Sequence, residues 1–464
     1  MIRKITAVLL AFLCLTLWDG AAFPANAAEG ETVFSVRPES KPVVNPHKGW
    51  VQYVYDPGRF TDPVYGVENN PAWELTGTVY SRFFWSDIET EKGEYDWSAI
   101  DELAELCDKY GKTFAFGVIP ADSGVSRPEG LVPEYVYDDG CKYVTAVTDS
   151  FYSDKGEQRT PVWSDEIYHK AAIALAAAIA ERYDGDDRIE FIDIRSLGNW
   201  GEWHTYGLEG SEMPSEDIQR EYIKEWTELF DDTLLVLPVN DDKPTAVSEY
   251  AVSLGVTLRR DGLVGLKGHE KALSPAYEGG LPAVGETCYG YGYMRDNGTW
   301  SDDKLKTAVR GGRVTYMALA GEVTDGKDMY DQCRETVEGL ANEIGYNFIV
   351  TFASVKYEGR RARITMKVKN TGLAPQYFPM TVMFAVTERD GSAPRRLPRQ
   401  FFCESGSLAP GETRTFSCEV SAECLTPGKF LAAGIFEDTE DDVPGIRFAC
   451  RNTAGNNYLI LGKI

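Results

Sequence analysis

Two glutamates stand where paired-carboxylate chemistry needs them. Glu202 lies in the run Leu197-Gly198-Asn199-Trp200-Gly201-Glu202-Trp203-His204, and Glu286 in Gly285-Glu286-Thr287-Cys288-Tyr289. Each follows a glycine, which allows close backbone approach, and each has aromatic neighbours. One carboxylic acid to protonate a leaving oxygen and one carboxylate to attack an anomeric carbon are what cleavage of a glycosidic bond requires. Trp200 and Trp203 flank Glu202, and a carboxyl buried against Trp has its pKa raised, as an acid/base group needs. His204 is placed to bind a sugar hydroxyl. No second histidine stands at ligand spacing, so no metal and no cofactor is expected. Asn240 and Asp261 are candidate substrate ligands, and Tyr289 is a candidate stacking surface.

These residues have to be delivered to one place, and the strand pattern says how. From Asn45 to about Ala320, short β-rich runs alternate with amphipathic helices. The expected strands are 49–55, 78–85, 113–119, 188–196, 233–239, 256–259, 283–286 and 313–318. Between them, 98–110, 167–183, 215–230, 246–254 and 329–344 read as helices, the first repeating apolar residues at helical spacing and the second rich in Ala. Ser98 and Ser215 are the expected caps of two of them. Eight strands mostly separated by helices predict an α/β fold, a (β/α)8 TIM barrel. No glycine-rich phosphate loop follows any strand, which counts against an open nucleotide-binding sheet. In a barrel the catalytic side chains sit at the C-terminal ends of strands. Glu202 follows the fourth strand and Glu286 ends the seventh. Residues 121–161, rich in Gly, Pro and Asp, read as one long functional loop. After Gly345 the pattern changes to short strands with Gly, Pro and Asn turns, which predicts a C-terminal antiparallel β-sandwich. The expected division is 28–44 as a lead segment, 45–345 as the barrel and 346–464 as the sandwich.

The chain of 464 residues carries 47 Lys and Arg against 72 Asp and Glu, a formal charge of −25. That balance argues against nucleic acid and against an anionic membrane surface. Arg3 and Lys4, the apolar run Ile5–Leu17 and Ala25-Asn26-Ala27 read as a signal peptide over residues 1–27, hence a secreted or extracytoplasmic protein with no membrane span after cleavage. Export permits disulfides, and four cysteines in one small domain predict at least one bridge among Cys403, Cys418, Cys424 and Cys450. The acidic run Glu437–Asp442 lacks EF-hand spacing and reads as a solvated turn.

The run Arg82-Phe83-Phe84-Trp85-Ser86-Asp87-Ile88-Glu89, with Gly93-Glu94-Tyr95-Asp96-Trp97 after it, resembles the second-strand signature of clan A glycoside hydrolases, the β-galactosidase-like and cellulase-like barrels. The resemblance implies that Arg82 supports the nucleophile, Glu202 is the acid/base and Glu286 is the nucleophile of a retaining enzyme. It also brings Arg82 and Trp85 into the substrate site. The clan places Asn directly before the acid/base; here that position is Gly201, with Asn199 the candidate to contact the sugar instead. Asn45-Pro46-His47-Lys48-Gly49-Trp50, Arg260-Asp261-Gly262 and Asn370-Thr371-Gly372 further resemble an exported barrel-plus-sandwich family of unknown function. The reading is therefore an exported, retaining glycoside hydrolase acting on a neutral oligo- or polysaccharide. Its rivals are a non-catalytic carbohydrate-binding protein and a cell-envelope protein on the same barrel.

Overall fold

The computed structural model describes residues 30–54, 57–62, 66–150, 153–264 and 268–464. The expected signal peptide lies outside the described residues, and no helix among them is long and apolar enough to cross a membrane. Eight parallel strands close into a barrel. They are β1 (Gly49–Tyr53), β2 (Thr76–Phe84), β3 (Thr113–Ile119), β4 (Ile189–Asp193), β5 (Leu234–Val239), β6 (Thr257–Arg260), β7 (Ala283–Gly285) and β8 (Tyr316–Glu322). β8 pairs with β1, Met317 opposite Trp50, which closes the ring.

The strands are buried on both faces, so alternation decides which side chains fill the lumen. In β4 and the residue pair beyond it, Phe191, Asp193 and Arg195 point inward. Ile192 and Ile194 join the core between barrel and helices. Val51, Tyr53, Tyr80, Ala115, Phe191, Val236 and Val284 pack the lumen itself. The outer layer includes helices Ser98–Lys109, Glu166–Tyr183, Glu216–Leu229, Ala246–Ser253 and Val323–Glu343. Two expected caps differ. Neither Ser98 nor Ser215 caps through its side chain. The Ser98 amide instead donates to Asp96 Oδ1 at 3.0 Å, so the turn before the helix does the work. The segment 121–161 is not one irregular loop. It contains the helix Glu134–Asp138 and an antiparallel hairpin, Tyr143–Ser150 with Ser153–Pro161.

Two four-stranded antiparallel sheets form the C-terminal sandwich. One holds Phe348–Glu358, Arg361–Asn370 and Thr413–Ser421, and the other Arg395–Cys403, Met380–Thr387, Phe430–Phe436 and Leu459–Lys463. The first sheet gains an edge strand from the other end of the chain: Gly30–Val33 pairs with 354–357. The Asn45-Pro46-His47-Lys48 motif fastens the two parts together. Asn45 exchanges two hydrogen bonds with the backbone of Arg447, at 2.8 and 3.0 Å. Lys48 donates to the carbonyls of Ala341 and Tyr346, and burial pushes its ammonium down to about 7. His47 bridges Glu190 of β4 at 2.8 Å and Glu437 of the sandwich at 2.7 Å.

The expected disulfide is not formed. Cys403, Cys418, Cys424 and Cys450 are all free thiols, as are Cys107, Cys141, Cys288 and Cys333. Cys403, Cys418 and Cys450 are buried within the sandwich core as small apolar side chains, and Cys424 packs against it.

Candidate active site

The site forms at the C-terminal mouth of the barrel, around Arg82 of β2. Its Nη1 lies 3.0 Å from Glu202 Oε1, and its Nη2 donates to both oxygens of Glu286 at 3.2 and 3.1 Å. One guanidinium thus holds both carboxylates. Each of the two carboxylates lies within 3.2 Å of the same guanidinium, so both face one pocket.

Glu286 is the first residue after β7. Its amide donates to the carbonyl of Arg260, continuing the β6–β7 ladder by one step. Arg259, in the middle of buried β6, grips Glu286 Oε2 through Nε at 2.9 Å and Nη2 at 2.6 Å. Tyr53 of β1 receives hydrogen bonds from both Arg82 and Arg259. Below them Asp193 accepts from Tyr80 at 2.6 Å and from Arg195 Nε at 2.9 Å. Asp193 and Arg195 are fully buried.

Glu202 sits on a tight loop after β4. Gly198, Trp200, Gly201 and Trp203 all take positive φ there, a conformation that costs energy for tryptophan. Backbone hydrogen bonds impose it: Trp200 to Ala121 at 2.8 Å, Asn199 to His204 at 2.7 Å and Trp203 to Leu197 at 3.0 Å. Gly201 has no alternative. A Cβ there would stand 2.4 Å from Arg195 Cβ and 2.5 Å from the Arg195 carbonyl oxygen, so the asparagine usual in the clan does not fit. Gly117 of β3 has the same purpose from the other side, since a Cβ would meet Arg195 Cδ at 2.6 Å. Both glycines make room for the Arg195 stem.

The electrostatics of Glu202 run against the sequence expectation. Burial raises its pKa, but Arg82, a hydrogen bond from His204 and then Arg195 at 3.4 Å outweigh that and hold the carboxyl well below the usual range. The two tryptophans do not set its protonation. Trp200 donates to Asp122 at 2.6 Å, and Trp203 donates to the Ile194 carbonyl and packs on the core. His204 Nδ1 accepts from the Tyr206 amide at 3.0 Å, which leaves Nε2 as the donor facing Glu202 Oε2 at 3.5 Å. Glu286 follows the same logic. Burial raises it, Arg259 and Arg82 pull it lower, and it too is ionised.

The other expected substrate ligands divide. Asn240 donates its amide to the Glu202 carbonyl and so positions that loop. Asn199 is buried and hydrogen-bonded to Ser123 and to the Tyr206 carbonyl, which ties three loop segments together. Trp85 corrects the expectation of a sugar contact. It is 2% exposed, hydrogen-bonded to Glu89 and packed on Tyr168. Tyr289 is half-buried against Tyr293, with ring centroids 4.7 Å apart. Asp261 directly follows β6, between the strands that carry Glu202 and Glu286. Tyr53, Asp193, Arg195 and Arg259 were not singled out from the sequence for the site. Charged residues two apart on an otherwise apolar inner face were the available signal.

The glycoside hydrolase family 42 profile, described as Beta-galactosidase, matches residues 74–200, from the start of β2 to the loop before Glu202. The chain carries a clan A glycoside hydrolase-like barrel. No curated protein matches it. The matched stretch includes Arg82, Asp193 and Arg195 but neither Glu202 nor Glu286, so it identifies the barrel and leaves its chemistry to the geometry.

Proposed function

We propose that this protein hydrolyses glycosidic bonds of a neutral oligo- or polysaccharide outside the cytoplasm, with retention of configuration. The observation that carries the reading is the guanidinium of Arg82, shared by Glu202 and Glu286 at the barrel mouth. Glu286, held ionised by Arg259 and Arg82, attacks the anomeric carbon. Glu202, also ionised, takes the proton of the water that releases the sugar from Glu286. Arg82, Arg195 and Arg259 face Glu202, Glu286 and Asp193, three cations against three carboxylates, and Arg260 beside them is engaged by the carbonyls of Asn240, Asp241 and Asp261 and by His269, which leaves no uncommitted guanidinium to select an acidic sugar. Export is supported by the basic, apolar and small-residue order of residues 1–27.

A panel of aryl glycosides and polysaccharides tests the reading. Wild type is expected to turn over at least one, and Glu286→Gln to lose turnover by orders of magnitude while still binding the sugar. Equal rates for the variant and wild type refute the role of Glu286. A second reading has its own support: the cations around Glu202 oppose its service as a proton donor, as in a barrel that binds sugar without cleaving it. It predicts binding without turnover for wild type, Glu286→Gln and Glu202→Gln alike.

A further inference from the structure

The hydrolysis reading above needs a carboxyl that is protonated in the resting pocket, and neither Glu202 nor Glu286 qualifies. We propose that Asp261, at the end of β6, supplies the proton to the leaving-group oxygen. The inference rests on the hydrolase reading and replaces the acid half of the role expected for Glu202.

The placement comes from strand register. Arg260 of β6 stands opposite Gly285 of β7, so the next residues, Asp261 and Glu286, leave their strands side by side. The Leu263 amide then donates to the Glu286 carbonyl at 3.0 Å, which holds the two strand ends together. Around the mouth the order is β4, β5, β6, β7, so Asp261 lies on the arc between the two other carboxylates. Its Oδ1 is buried and has no hydrogen-bond partner among the described residues.

The charged groups facing Asp261 do not neutralise it as an anion. Arg260, its chain neighbour, directs its donors to the carbonyls of Asn240, Asp241 and Asp261 itself and to His269. Arg82 is committed to Glu202, Glu286 and Tyr53. Cys288 is an uncharged thiol, pushed up to about 12 chiefly by burial. Burial, then Glu286, then Glu202 raise the Asp261 carboxyl well above the usual range, against the weaker opposing pull of Arg82 and Arg260. Two ionised carboxylates beside a third keep the third protonated.

The proton count closes. Glu286 bonds to the anomeric carbon as the bond to the leaving oxygen breaks, and Asp261 gives that oxygen its proton. Water then attacks the anomeric carbon, Glu202 takes its proton, and Glu286 leaves as a carboxylate. Transfer of that proton from Glu202 to Asp261 restores the resting state, in the direction the surrounding charges favour.

Two measurements test this. Difference infrared spectroscopy at neutral pH should show the carbonyl stretch of a protonated carboxylic acid that disappears in Asp261→Asn and persists in Glu202→Gln. In kinetics, Asp261→Asn should slow alkyl glycosides by about 10²–10⁴-fold and strongly activated aryl glycosides far less. Glu202→Gln should instead accumulate glycosyl-enzyme on the aryl substrate and be rescued by azide. If the infrared band survives Asp261→Asn, or if leaving-group dependence follows Glu202→Gln while Asp261→Asn slows all substrates equally, the assignment to Asp261 falls and the hydrolase reading stands. A wild type that cleaves no glycoside overturns both.

Discussion

Replacing Arg82 by methionine isolates the feature on which the site depends. The side chain is 12% exposed, so its charge is largely shielded from water, and it touches Glu202, Glu286 and Tyr53. Removing one partner from a buried ion pair costs about 3–5 kcal/mol. The cost counts once rather than twice, because Glu286 keeps Arg259 at 2.6 Å and Glu202 keeps Arg195 at 3.4 Å. At about 2 °C per kcal/mol for a domain of this size, the barrel transition should fall by about 6–10 °C at pH 7. The pH dependence has a definite sign. Both carboxyls are held below their unfolded values in wild type, so their contribution is present above the unfolded pKa and is lost as pH falls through the folded one. In the variant the same carboxyls rise, take up protons earlier on acidification and relieve their repulsion. The melting deficit should therefore shrink between pH 7 and pH 4. Arg82→Lys should lie between the two, since an ammonium reaches one carboxylate at a time. Scanning fluorimetry across that range decides the matter. An unchanged melting temperature at pH 7, or a deficit of constant size down to pH 4, would refute the shared-cation account.

Other outcomes follow from the same structure. Thiol labelling and mass mapping of the unreduced protein should find Cys403, Cys418, Cys424 and Cys450 free, and reducing agent should leave the melting temperature unchanged; any bridge among them contradicts the structure. Gly201→Ala should fail to fold or lose the Glu202 loop, with far-ultraviolet dichroism and solubility as readouts; a well-folded variant means that Arg195 can move aside. His47 loses protonation to burial but regains more from Glu190 and Glu437, which push it up to about 10. Its contribution is thus complete below the unfolded histidine value and lost as pH rises through 10. His47→Asn, which tolerates the positive φ of that position, should lower the melting temperature at pH 7 but not above pH 10.

The barrel was legible because parallel strands buried on both faces leave long apolar runs, and the helices between them repeat at their own period. β3 matches its expected bounds, and the other seven strands differ at one or both ends. Glu202 and Glu286 were legible because each directly follows a glycine near a strand end. Their protonation was not, since it depends on Arg82 and Arg259, which reach the carboxylates only when the barrel closes. Trp85 shows the limit of composition: an aromatic that ends a strand can face a sugar or the helix layer, and here Tyr168 and Glu89 claim it. Cysteine counting failed for a related reason, because number and compartment say nothing of where the sulfur atoms point. Gly30–Val33 is too short to carry a period-two signal.

That short strand has a consequence for the order of assembly. Its partner, Phe348–Glu358, is made only after the whole barrel has been synthesised, so the first described residues of the chain find their place among the last elements to emerge. Until then the barrel is held without its clasp, with Asn45, His47 and Lys48 at its base still waiting for the carbonyls and carboxylate of the later segment. Trimming residues 30–33 would uncover residues 354–357 of that strand as an open sheet edge, a surface on which a second chain can pair.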